Sequence, residues 1–286
     1  MLNRLCAPPG AATSAAMTAG AIRVGIGGWD FDPWRGTFYP PGLAKTRQLA
    51  FAAERLSAIE INATYYKLQS PDLFARWAKT VPDGFKFAIK GSRYCSNRKV
   101  LGESGEAVER FCGQGFTELG DKLGPILWQF MATKRFDPDD FGAFLALLPK
   151  TQAGMPLQHA VEVRHESFRN PAFVAMARAA NVAIVYGDSD DFPCVADRSG
   201  DFAYARLMCA REDVPTGYPE DALDRWTDIA QAWSRGESPA GLPYNAAPPP
   251  PAPRETYVFF ISGAKEKNPA AATAMIERLR HRARAI

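Results

Sequence analysis

The chain has 286 residues, 47% hydrophobic and 12% aromatic, with 34 basic and 31 acidic side chains and a formal net charge of +3. Such a chain can bury a large core, and its near-balance of charge is no polyelectrolyte footprint for nucleic acid. No stretch reaches the ~18 apolar residues of a membrane span, and five scattered cysteines without a C-x-x-C point to free thiols in a reduced, cytoplasmic setting.

Residues 1–21 are rich in Ala, Gly and Pro, and Pro8, Pro9 and Gly10 interrupt any signal-peptide centre, so this segment reads as a disordered leader. The first strand is Ile22–Gly28. An aromatic loop, WDFDPWRGTFYPPG, follows; it is either a lid packed on the core or the wall of a cleft, with Trp29 as a candidate wall residue. Helical spacing over Ala44–Leu56 leads into a strand at Ala58–Asn62. A helix at Pro71–Thr80 precedes the third strand, Phe85–Lys90, and a long amphipathic helix is predicted over Glu103–Lys122. Ile126–Phe130 is the fourth strand, Pro138–Leu148 a helix, His159–Arg164 the fifth strand and Pro171–Ala180 a helix. Val182–Gly187 and Phe202–Leu207 are strands six and seven, followed by a helix at Asp221–Arg235. The run Gly236–Pro253, ending in PPPPAP, reads as an exposed insertion whose removal leaves the fold intact. One strand, Thr256–Ile261, and one helix, Pro269–Arg284, complete the chain.

Eight strands that nearly all alternate with helices predict an α/β fold: a single (β/α)₈ barrel over residues 22–286, with the Pro-rich insertion before its last strand. A dinucleotide-binding open sheet is disfavoured, because Gly25, Gly27 and Gly28 do not make a G-x-G-x-x-G turn.

Residues two apart on a strand share a face. Glu60 with Asn62, Lys90 with Lys86, Glu162 with Arg164, and Tyr204 with Arg206 therefore make a polar set directed into the barrel, with Gln129 ending the fourth strand. Two readings stay open. In one, two acids and three bases pair as a lattice that fills the barrel. In the other, these groups form a site at the C-terminal strand ends, with carboxylates as acid and base and cations holding an anion. Glu60→Gln separates them: ~1 kcal/mol or less at a solvated mouth, ~3–5 in a lattice.

Metal chemistry is disfavoured. Only His159, His165 and His281 are present, without H-x-x-x-H; a lone Mg²⁺ on Glu60, Glu162 or Asp188 is the remaining option, and no cofactor is expected. No G-x-S-x-G marks a serine hydrolase, and Cys95 and Cys209 read as small buried hydrophobes.

GGWDFDPWRGTFYP, IEINATYY, the Trp77–Lys90 run W-x-x-x-x-P-x-x-F-x-F-x-x-K, KLGPILWQF and VEVRHESF together resemble the YecE-like family, domain of unknown function 72. The resemblance implies a TIM barrel without an established activity, and a polar mouth in which Glu60, Asn62, Tyr66, Lys90, Gln129, Glu162, Arg164 and Arg206 match the family's characteristic positions. Ser96-Asn97 replaces a usual Thr-His, Ile261-Ser262 an Asn pair and Phe130-Met131 a Leu-Pro, so the chain reads as a divergent branch.

The resulting expectation is a small polar or anionic ligand at the mouth. Glu60, Glu162 and Lys90 are the candidate catalytic groups, with Glu162 as base. Trp29, Asn62, Tyr65, Tyr66, Arg93, Gln129, Arg164, Asp188 and Arg206 are the candidate ligand contacts, Lys90 and Arg164 holding the anion. Two alternatives are kept: nucleic-acid binding through Arg93, Tyr94, Arg98 and Lys99, and a scaffold whose partner sits on the insertion.

Overall fold

The computed structural model describes residues 18–284, so the leader expected at 1–21 lies almost entirely outside the described residues. Eight parallel strands close into a barrel: β1 (Ile22–Gly27), β2 (Ala58–Ile61), β3 (Lys86–Lys90), β4 (Leu123–Gln129), β5 (His159–Glu162), β6 (Ala183–Asp188), β7 (Phe202–Leu207) and β8 (Glu255–Phe260). Each pairs with its sequence neighbours, and β8 returns to β1 through the register Ile22–Thr256 to Ile26–Phe260. Among the described residues no helix is long and apolar enough to cross a membrane.

Helices cover the outside: α1 (Lys45–Ala53), α2 (Ala63–Tyr66), α3 (Pro71–Thr80), α4 (Arg93–Ser96), α5 (Gly105–Cys112), α6 (Pro138–Leu147), α7 (Pro171–Ala179), α8 (Glu220–Ser234) and α9 (Asn268–Arg284). Three begin with the same local device. Ser70, Asp137 and Asn170 accept hydrogen bonds from backbone N–H groups of the first turn, and the proline that follows each has no N–H to leave unpaired.

Alternation sorts each strand's side chains. Ile59, Ile61, Phe87, Ile89, Val161 and Trp128 face the helices, whereas Ala58, Ala88, Leu127, Ala160 and Ala183 face the barrel axis. The axial core is lopsided: alanines from β2, β3, β5 and β6 lie in one cluster with Phe202, Tyr204, Tyr257 and Phe259 from β7 and β8. Large residues from one arc fill the space left by small ones in the other, so the middle of the barrel is filled by side chains.

The aromatic loop after β1 divides its roles. Trp34 and Tyr39 are fully buried, Trp34 Nε1 donating to Lys265 O at 3.0 Å and Tyr39 Oη to Trp29 O at 2.6 Å. Trp29, fixed by that bond, reaches the upper opening.

Three expectations need correction. The helix predicted over Glu103–Lys122 is broken into a 3₁₀ turn at Leu101–Ser104, α5, and a 3₁₀ stretch at Phe116–Lys122. Its apolar side is buried as the spacing implied, but Gly115 takes φ 95°, and a Cβ there would sit 2.5 Å from Pro71, so the chain turns where a helix would clash with α3. Second, a short hairpin, Thr151–Gln152 with Met155–Pro156, stands between α6 and β5.

Third, the Pro-rich segment is not an exposed insertion throughout. No helix joins β6 to β7; the connecting loop is instead covered by the Pro-rich run. Buried Asp197 accepts from Asn245 N (2.8 Å), Asn245 Nδ2 (3.1 Å) and Ala246 N (2.9 Å), Ala196 N donates to Pro243 O (2.9 Å), and Arg198 Nη2 donates to Pro249 O (2.9 Å). Leu242, Tyr244 and Ala246 pack against the outer core, where a helix would otherwise lie. Asp197→Ala is expected to lower stability by about 2–3 kcal/mol, because it removes three hydrogen bonds to a buried carboxylate. Exposed Glu237→Ala should cost under about 0.5 kcal/mol. Equal denaturation midpoints for the two variants would show that the segment is not a structural strap.

Candidate functional site

At the C-terminal end of the barrel the axial residues change from apolar to ionised. Glu60 on β2, Lys90 on β3, Gln129 on β4, Glu162 on β5 and Arg206 on β7 converge there, with Arg164 just beyond β5. Arg206 is the hub. Its Nε and Nη2 form a fork on Glu60 (3.1 Å to Oε2 and 3.1 Å to Oε1), and its Nη1 donates to Glu162 Oε2 and to Gln129 Oε1 (3.4 Å). Tyr204 Oη donates to Glu60 Oε2 at 2.7 Å. Arg164 Nε and Nη2 both reach Glu162 Oε1, at 2.7 and 2.6 Å.

Glu60 and Glu162 are 0% and 2% exposed, and every carboxylate oxygen is engaged. Burial alone would raise the Glu162 pKa, but the Arg206 and Arg164 guanidiniums outweigh it and hold the carboxyl below its ordinary range. Arg206, flanked by both acids, is raised above its ordinary value despite its burial. A carboxylate pinned in its ionised form by two arginines is a poor general base. The base role expected for Glu162 is therefore not one its surroundings favour.

Lys90 differs. Among the described residues its ammonium has no carboxylate within ion-pair distance; it lies 4.5 Å from the centre of the Tyr65 ring. Burial, then repulsion by Arg206, lower its pKa to about 8, against a partial opposing pull from Glu60 and Glu162. The strand end is fixed from outside, Thr64 Oγ1 donating to Lys90 O at 2.7 Å.

Above this layer opens a cleft of ≈ 690 Å³, walled by Trp29, Tyr66 and Trp77 and floored by Asn62, Lys90, Gln129, Arg164 and Arg206. Trp29 meets Trp77 edge to face at 5.1 Å. Gly27 makes room: a Cβ there would lie 2.8 Å from both Asn62 Nδ2 and Ile261. Tyr66 is 64% exposed at the rim. Tyr65 packs behind it (ring centres 5.0 Å apart), and its hydroxyl accepts from Asn97 Nδ2 at 2.8 Å. Asn97, at the position where the family resemblance led one to look for histidine, thus anchors the ring beside Lys90.

Three predicted contacts do not line this cleft: Tyr65 lies behind Tyr66, and the other two are farther off. Asp188 sits on the face of β6 shared with Ile184 and Tyr186, because Ala183 and Val185 take the axial side. Its neighbours are Tyr218 and Cys209, and burial raises it to about 6. Glu60 and Glu162 meet at Arg206 on the axis, and Asp188 on the outer face does not join them. Arg93 is exposed on α4 over Tyr94, away from the cleft lining. Arg98, whose Nε donates to Tyr94 O at 2.8 Å, borders a separate depression with Tyr94 and Arg110.

His159 lies at the opposite end, where Trp128 Nε1 donates to its Nδ1 at 3.1 Å; its Nε2 must then carry the proton, donating to Pro149 O at 2.8 Å. His165 is turned to Ser167 and caps a 3₁₀ turn. Cys95 is buried and its thiol pushed up to about 12 by burial, while Cys209 is half-buried and likewise raised to about 12.

Sequence reasoning missed Lys265 and Asn268, which complete the cleft from the segment after β8. The strand-end rule could have found Lys265, four residues beyond Ile261. Its ammonium lies 4.1 Å from the Phe31 ring centre, and burial lowers its pKa. Asn268 opens α9 with a buried Oδ1 that has no hydrogen-bond partner. Trp77, in the middle of α3, carried no sequence signal for the cleft.

Known proteins resemble this chain in three ways. UPF0759 protein YecE of Escherichia coli K12 is 27% identical over 150 residues, so the match spans about half of each protein (51% of this chain and 50% of YecE). The crystal structure of a DUF72 family protein from Thermotoga maritima MSB8 superposes with a TM-score of 0.70 at 21% identity, covering 91% of this chain and 99% of that one. A DUF72 family protein from Enterococcus faecalis V583 gives a TM-score of 0.64 at 16% identity, covering 91% and 98%. At such identities these likenesses establish the fold, an α/β barrel of TIM type. The family model "Protein of unknown function DUF72" matches residues 23–286, and the chain belongs to that family.

Proposed function

We propose that the protein binds a small anionic ligand, a carboxylate or phosphate ester, in the cleft at the C-terminal end of the barrel. One observation carries this reading. Two buried carboxylates are consumed by two guanidiniums, which leaves the Lys90 ammonium, and Lys265 at the rim, in no ion pair among the described residues beside an open cavity. An unpaired, partly desolvated cation is costly in an empty site and becomes favourable once an anion enters. Arg164, held at its inner edge by Glu162 and stacked 4.4 Å from the Phe192 ring centre, presents its remaining face to the same cavity. Trp29, Tyr66 and Trp77 suit an apolar or sugar-like body attached to the charge.

Thermal-shift titration with small carboxylates and phosphate esters tests the proposal. A ligand at ~100 times its Kd stabilises by about 2.7 kcal/mol, enough to raise the melting temperature by a few degrees. Arg164→Gln should weaken that ligand by about 10–100-fold. Lys90→Met should also weaken it while melting no lower than wild type, because it removes an unpaired cation. A broad panel in which no anion shifts the transition would defeat the proposal.

A further inference from the structure

At the floor of the cleft the two arginines are occupied with the acids buried beneath them, and Lys90 is the group whose chemistry remains unused. Resting on the reading that the cleft takes a small anion, we infer that Lys90 is a covalent amine: it condenses with an aldehyde or ketone that also carries a negative charge, forming an iminium at Nζ.

The geometry suits this chemistry at each point. Lys90 lines the cavity and its ammonium is in no ion pair among the described residues, so no partner need be displaced before it attacks. Its surroundings come from every neighbouring element: Glu60 from β2, Tyr65 from α2, Glu162 and Arg164 from the end of β5, and Arg206 from β7. Desolvation and Arg206 lower its affinity for a proton to a pKa of about 8. At pH 7 roughly a tenth of the amine is then neutral, on the order of 100-fold more than for an ordinary surface lysine.

The step balances without a co-reactant. The neutral amine adds to the carbonyl carbon, forming a C–N bond while the carbonyl π pair moves to oxygen. That oxygen takes up protons and departs as water as the nitrogen lone pair closes the C=N bond. Ammonium plus carbonyl thus gives iminium plus water, and the site's charge is unchanged. The new cation keeps the place of the old one, over the Tyr65 ring and near Glu60 and Glu162. Arg164 and Lys265 line the same cavity and are available to the ligand's anionic group.

The test is reductive trapping on the full chain. Pyruvate, glyoxylate and glyceraldehyde 3-phosphate are each incubated at pH 7 with cyanoborohydride, and the labelled lysine is mapped by peptide mass spectrometry. At least one probe should label Lys90 about tenfold or more faster than the mean of the other lysines, with a rate that levels off above pH ~8. Other lysines should keep gaining rate toward pH ~10. Lys90→Arg keeps the charge and should abolish that label. Mapping on wild-type protein needs no variant to fold. Lactate and glycerol 3-phosphate, which lack the carbonyl, are titrated in parallel by thermal shift. If they bind and no probe labels Lys90 preferentially, the covalent inference falls while the anion site stands. If they do not bind and labelling is spread over surface lysines, both fall.

Discussion

Arg206→Met is expected to be the most damaging single substitution in the barrel. Arg206 is 2% exposed and binds both Glu60 and Glu162, so its loss leaves two buried carboxylates facing one another, with only Tyr204 and Arg164 to hold them. Stranding one buried charge typically costs about 3–5 kcal/mol; Glu60 is stranded outright, and Glu162 keeps only Arg164. The pH dependence should also change. In the wild type, Glu162 has a folded pKa below its unfolded value; its contribution is present above the unfolded pKa and is lost as pH falls through the folded one. In Arg206→Met the Glu162 carboxyl keeps Arg164 but loses the larger of its opposing cations, so its folded pKa rises relative to the wild type and less stability is lost on acidification. The gap between wild-type and variant denaturant midpoints should therefore narrow as pH falls from about 5 to about 3, through the carboxylate range. Parallel trends would mean that Arg206 is not the charge that holds the network.

Glu60→Gln is the second large effect, and the structure favours the larger of its two expected sizes. Sequence reading left both open: ~1 kcal/mol or less at a solvated mouth, ~3–5 in a lattice. In the fold it is 0% exposed and does not line the cleft. Glutamine could keep the Tyr204 and Arg206 Nε bonds at one position, but its NH₂ would then face Arg206 Nη2, donor against donor. A loss of about 3–5 kcal/mol follows, with anion affinity at Arg164 and Lys90 kept within about tenfold. Near-wild-type stability with abolished binding would restore Glu60 to the ligand's contacts and refute the buried-lattice role.

Much of the architecture was legible, because strand parity and helix caps are local. The alternation in Ala58–Asn62 and Phe85–Lys90 placed Glu60 and Lys90 on the axis, and Ser70-Pro71 and Asn170-Pro171 marked helix starts. What remained hidden was depth and pairing. Glu60 and Glu162 look alike as strand-end acids, yet both lie one layer below the cleft because Arg206 gathers them there. Asp188 ends a strand like the others but falls on the outer face, a one-residue matter of register. The lattice reading describes the acids and Arg206; the proposed site is the layer above them, at Lys90 and Arg164.

The strap over the β6–β7 gap also bears on the order in which a growing chain completes itself. Asp197 and Ala196 find their hydrogen-bond partners only at residues 243–246, some fifty positions downstream. A nascent chain that has extruded β7 and α8 therefore still exposes the loop beside Ile184 and Trp233, and this flank stays open to the solvent, or to a chaperone, until the Pro-rich run emerges. Polyproline stiffness fits that late duty: a segment already extended loses little conformational freedom when it is laid down. The same run of prolines that looked like a dispensable spacer is a late seam of vectorial synthesis, laid down just before β8 closes the ring and α9 covers it.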